Sequence, residues 1–137
     1  MNKFQLGYYA HSKKKYNSEQ EKSEYDFINK TFFGLIICPN KHIGEIGSIG
    51  PYLDIVEKMN VIFTSEYQGC VGKGVYDECA LALKLQIPVY VIKEKENKFY
   101  YSILTKIEIV NEYDFKKYAA LHTKKYSPEK LPVILRL

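Results

Sequence analysis

Apolar residues in this chain fall into short runs, and between them lie polar stretches with helical spacing, in regular alternation. Residues 4–10 form a strand-like run that ends in the polar turn His11-Ser12-Lys13. Ser18 followed three residues later by Glu21 is a capping-box pattern, and it opens a polar helix running to about residue 29. Residues 33–38 make an apolar run closed by Pro39-Asn40, too short for a helix and suited to a buried strand. A loop dotted with Gly44, Gly47 and Gly50 leads to Pro51, which fits the first turn of a helix reaching about residue 58. Residues 61–65 read as the next strand. Val75, Cys79 and Ala82 then recur at helical spacing within a helix over residues 75–85, and the run IPVYVI places another buried strand at residues 88–93. Such alternation predicts an α/β fold with a mostly parallel sheet covered on both faces. Ligands of such folds bind at the carboxyl ends of strands, near a change in strand order.

The final third carries weaker patterns. Residues 99–104 and 106–110 predict a terminal hairpin or edge strands, residues 113–121 a last helix, and residues 132–137 a closing extended segment. No internal repeat or low-complexity linker interrupts the chain, and 137 residues with 46% hydrophobic content predict one domain over residues 1–137.

Composition narrows the function classes. Three cysteines, Cys38, Cys70 and Cys79, lack paired short spacings, and no apolar leader or membrane-length run is present, so the reading is a reduced, cytoplasmic protein without a membrane partner. The net charge of +4 arises mainly from lysines after residue 92 and suits phosphate-bearing ligands as well as nucleic acid, without choosing between them. Thirteen tyrosines come without an RNA-binding aromatic pattern, zinc-finger spacing or long basic helix, which argues against nucleic acid as the partner. The order Cys38-Pro39-Asn40-Lys41-His42, with His11 and Cys70, raises a metal reading; without paired spacings Cys38 reads as a buried strand cysteine, and neither a metal nor a cofactor is expected.

The richest chemistry lies in GKGVYDECALALKLQIPVY, residues 72–90. Gly72 and Gly74 let backbone N–H groups approach a ligand, and a helix start favours an anion. Asp77 and Glu78 are expected in the first helical turn, beside that ligand or simply as partners of the helix dipole. At the end of the first strand, Ser12 with Lys13, Lys14 and Lys15 offers a hydroxyl and ammonium groups to a 5′-phosphate, or else a solvated lysine run.

Two blocks resemble the nucleoside 2-deoxyribosyltransferase-like family, which includes deoxynucleoside-monophosphate N-glycosidases. YYAHSKK, residues 8–14, is similar to the family's opening strand and turn, with its phosphate- or sugar-contacting serine. GVYDECALALKLQIPV, residues 74–89, is similar to its glycine-led helix, in which a glutamate precedes the start of the next strand by the spacing that Glu78 and Pro88 keep here. The resemblance implies a single Rossmann-like three-layer sandwich, a nucleoside or nucleotide ligand and a homo-oligomer. It also implies cleavage or transfer of an N-glycosidic bond, with Glu78 as nucleophile. Tyr8 or Tyr9 would orient the carboxylate, and Asp54, Glu66 or Asp77 would donate the proton. The family's proton-transfer aspartate falls on Tyr52, so a non-catalytic nucleotide-binding or sensing protein is the alternative. The resulting catalytic set is Glu78, Tyr8, Asp77 and Asp54, and the ligand-binding set Tyr9, Ser12, Lys14, Gly72 and Gly74.

Overall fold

A computed structural model describes residues 3–44, 49–67 and 71–106, together with the short stretches 108–109 and 135–136. Its centre is a five-stranded sheet built from β1 (Lys3–Ala10), β2 (Phe33–Ile37), β3 (Val61–Thr64), β4 (Val89–Lys95) and β5 (Lys98–Ile103), in the order β2-β1-β3-β4-β5. Three pairings are parallel and only β4 with β5 is antiparallel. The chain leaves β1 to build β2 on one side and then returns to build β3 on the other. The strand order therefore reverses at β1, the place where open α/β sheets form a ligand crevice.

Strand periodicity divides the core. Tyr9, Val61, Phe63 and Ile92 point to one face and pack with Ile28 and Phe32 of helix α1 (Glu19–Thr31) and its C-cap. Tyr8, Ala10, Ile62, Val89 and Val91 point to the other, against Val56 of α3 (Gly50–Val56) and Val75, Cys79 and Ala82 of α4 (Lys73–Lys84). The result is the expected Rossmann-like α/β sandwich. Gly7 serves this packing directly: an added Cβ would meet Ile36, Phe63 and Val61 side chains at 3.0–3.1 Å.

The local signals explain the helix boundaries. Ser18 Oγ accepts the Glu21 N–H at 3.1 Å, while Glu21 reaches back to the N–H of Asn17, one residue before the cap. A short α2 (Pro39–His42), read from the sequence as loop, follows β2. Helix α4 begins two residues earlier than expected, with Gly72 as its N-cap. Asp77 and Glu78 consequently sit in its second turn, which removes them from the strongest part of the helix dipole.

Of the two expectations for residues 99–104 and 106–110, the edge strand holds for the first segment and the hairpin between the two is corrected. Glu96 and Asn97, both with positive φ (53° and 64°), make a tight turn that folds β5 back onto β4 as an edge strand. Residues 108–109 instead form β6 (Glu108–Ile109), which pairs with β7 (Leu135–Arg136) in a separate two-stranded sheet. The helix expected at residues 113–121 lies outside the described residues. Among the described residues no helix is long and apolar enough to cross a membrane.

Candidate functional site

At the carboxyl edge of β1, where the strand order reverses, a cleft of about 280 Å³ opens between the β1 turn and helices α2, α3 and α4. Tyr8 and Glu78 form part of its wall, the lysine turn contributes Ser12, Lys13 and Lys14, and the α4 entry contributes Gly72 and Gly74. Tyr16 and Tyr52 add aromatic surface.

Each of these positions has a local cause. Ser12 caps a single 3₁₀ turn, Lys13–Lys15, by accepting the Lys14 N–H at 3.2 Å, and this turn carries Lys13 and Lys14 along the cleft. At the start of α4 the Gly72 carbonyl accepts the Tyr76 N–H at 2.9 Å, and the N–H groups of the preceding turn have no acceptor within the helix. A Cβ on Gly74 would meet only Ile49 Cδ1, at 3.7 Å. Packing within the fold therefore leaves room for a side chain there.

Glu78 is 6% exposed, and Tyr8, 1% exposed, donates its hydroxyl to Glu78 Oε2. Burial pushes the Glu78 carboxyl up to about 7; the Tyr8 hydrogen bond pulls against this, and the charge of Asp77 adds to it. Burial beside Glu78 likewise drives the Tyr8 phenol well above its ordinary value, so Tyr8 remains a protonated donor. A carboxyl balanced between its two forms near neutrality, against a fixed donor and an open cleft, has the properties of a reactive acid or nucleophile.

The expected residues divide cleanly. Tyr8, Ser12, Lys14, Gly72, Gly74 and Glu78 are brought together. Tyr9 is not: one residue on along β1 it faces the opposite side of the sheet, where its hydroxyl meets Glu24 on α1. Asp54 is exposed on α3 and outside the cleft wall, and Asp77 is half-buried and acts on the site through its charge. Lys15 also leaves the expected phosphate group. It is 2% exposed, and Nζ donates to Glu24 at 2.9 Å and to Ser65 Oγ at 2.6 Å.

Sequence reasoning left out Tyr16, an aromatic directly after the lysine turn, whose phenol is held above its ordinary value by burial and by the charge of Glu78. Tyr52 does reach the cleft, but its hydroxyl donates to the Gly44 carbonyl at 2.7 Å. Among the described residues of the wall, Glu78 is the one carboxylate. His11, also in the wall, is sandwiched between Tyr9, with ring centroids 3.8 Å apart, and a contact to Glu21 at 2.6 Å. Burial holds the imidazole below its ordinary value, against the pull of Glu21.

Compared with known proteins, the chain matches no family model, and no curated protein is significantly similar to it.

Proposed function

We propose that the protein cleaves or transfers the N-glycosidic bond of a nucleoside or nucleoside 5′-monophosphate, with Glu78 as nucleophile. The observation that carries this reading is the buried Tyr8–Glu78 pair in the wall of a cleft that also holds Ser12, Lys13, Lys14, Gly72 and Gly74. The resemblance of residues 8–14 and 74–89 to the deoxyribosyltransferase-like family supports it.

In this mechanism the ionised Glu78 carboxylate forms a bond to the anomeric carbon as the bond to the base breaks, and the departing base takes up a proton from water in the cleft. Water or a second base then displaces the carboxylate and restores the anomeric configuration. Tyr8 orients the attacking carboxylate. Ser12 and the two cleft lysines face the 5′-phosphate, and the first-turn N–H groups of α4 approach the ligand across Gly74. Because attack needs the charged carboxylate, base release rises with pH through about 7.

A second reading, ligand binding without turnover, is favoured by one specific feature. Tyr52 stands where the family offers its aspartate, its hydroxyl is committed to Gly44, and no second carboxylate lines the described wall. Incubating the protein with nucleosides and 5′-monophosphates and following free base by chromatography separates the two readings. For the enzyme, Glu78→Gln lowers release by at least about a hundredfold while calorimetric affinity stays within a few-fold. Binding without release establishes the sensor, and absence of both overturns the nucleotide site.

A further inference from the structure

We propose that His11, Glu21 and Cys38 form a binding site for a zinc-class divalent metal where the end of β1, the first turn of α1 and the end of β2 meet. All three are buried, and each offers one ligand atom, with all three atoms within 4.8 Å of one another. The proposal is independent of the nucleotide reading.

Imidazole nitrogen, carboxylate oxygen and thiolate sulfur are ligands that zinc binds at about 2.0–2.3 Å, which in a tetrahedron separates them from one another by roughly 3.3–3.7 Å. The His11–Glu21 contact is now 2.6 Å, so the pair must open by about 1 Å, within reach of side-chain rotation. Two of the three ligands already have the outer partners that metal-binding side chains use. His11 Nδ1 lies 2.9 Å from the Tyr9 carbonyl, which can only accept; Nδ1 therefore carries a proton and Nε2 is the nitrogen turned to the cluster. Glu21 holds its second oxygen, Oε1, against the Asn17 N–H at 3.1 Å and leaves Oε2 facing His11.

Charge balance supports the same assignment. Nε2 and Oε2 both accept unless a proton lies between them, so the short contact holds one proton. The Cys38 thiol holds another and donates it to Asn40 Oδ1 at 3.2 Å. A dication entering the cluster displaces both: one metal ion binds to imidazole, carboxylate and thiolate, and two protons leave. The cluster is neutral before and after, so no uncompensated charge is buried. His11 and Pro39, the residue after Cys38, lie in the cleft wall and give the ion a way in.

Metal-free protein under reducing conditions is titrated with Co²⁺, then Zn²⁺, while absorbance, released protons and melting temperature are followed. The expected result is one Co²⁺ per chain, with a thiolate-to-cobalt charge-transfer band and tetrahedral d–d bands, about two protons released, and a melting temperature raised by Zn²⁺. Cys38→Ser, a nearly isosteric change, removes the charge-transfer band and weakens Zn²⁺ binding at least about tenfold. Cys70→Ser and Cys79→Ser leave both unchanged. His11→Gln abolishes binding if its circular dichroism shows it folded. A wild-type protein that shows no charge-transfer band, or a band that survives Cys38→Ser, overturns the proposal whichever other variants fold.

Discussion

Two consecutive tyrosines on β1 each donate a hydroxyl to a glutamate on a helix, Tyr8 to Glu78 on one face of the sheet and Tyr9 to Glu24 on the other. The outcomes are opposite. Burial alone would raise both carboxyls, but at Glu24 the Lys15 ammonium, Ser65 and Tyr9 more than compensate and hold it below the ordinary carboxylate range. Four donors converge on Glu24: Tyr9, Ser65, Lys15 and Gln20. Glu78 has the Tyr8 hydroxyl, no ion pair among the described residues although Lys13 and Lys14 line the same cleft, and the charge of Asp77 nearby, so burial raises it to about 7. One arrangement is closed and locks α1 and the lysine turn to the sheet. The other is open on a cleft and leaves its carboxylate under-compensated, which is the condition for chemistry rather than for stability.

The largest break in this comparison is Lys15→Met. Removing the cation strands a buried carboxylate, so unfolding stability measured by urea denaturation falls by about 3–5 kcal/mol. The loss is smaller at acid pH, where Glu24 takes up a proton instead. No equivalent loss is expected on the open side, since Glu78 makes no ion pair among the described residues.

The next effect has the opposite sign. A carboxyl raised from 4.5 to about 7 in the folded state binds its proton more tightly than the unfolded chain does. Its contribution to stability is therefore fully present below about 4.5 and is lost as pH rises through about 7. The loss amounts to about 3 kcal/mol. Glu78→Gln has no proton to lose, so its stability advantage over wild type grows across that window and levels off above it. A pH series of thermal melts on both proteins measures this. A variant no more stable than wild type at pH 8 would contradict the under-compensation of Glu78. Glu24 contributes in the reverse direction: its stabilisation is present above the ordinary carboxylate value and is lost on acidification.

The smallest effect sharpens the open side. Ser12→Ala should reduce the preference for a 5′-monophosphate over its nucleoside by about 1 kcal/mol in calorimetry, the scale of one net hydrogen bond. An unchanged preference would move the phosphate away from the β1 turn.

Much of this layout was legible without coordinates. Short apolar runs alternating with helical patterns lead to the parallel sheet and to helices on both faces, and the Ser18–Glu21 spacing marks the start of α1 to within a residue. Glu78, Tyr8, Ser12, Lys14, Gly72 and Gly74 could be singled out and do converge. Residues 99–104 were legible as a hairpin arm or an edge strand, but their pairing with β4 was not, because the turn at Glu96-Asn97 lacks glycine, the usual marker of positive φ. Lys15 was read together with its neighbours because three consecutive lysines look alike in sequence.

What the sequence by itself determined is therefore the set of local elements and the residue types brought to the carboxyl edge, because hydrophobic period, capping and turn chemistry act over a few positions. The tertiary structure alone decided which tyrosine meets which glutamate, that Lys15 turns inward while Lys13 and Lys14 line the cleft, and that His11, Glu21 and Cys38 share one buried cluster. The physical reason is sidedness: successive strand residues point to opposite faces, and which face holds a given helix is settled by packing across the sheet.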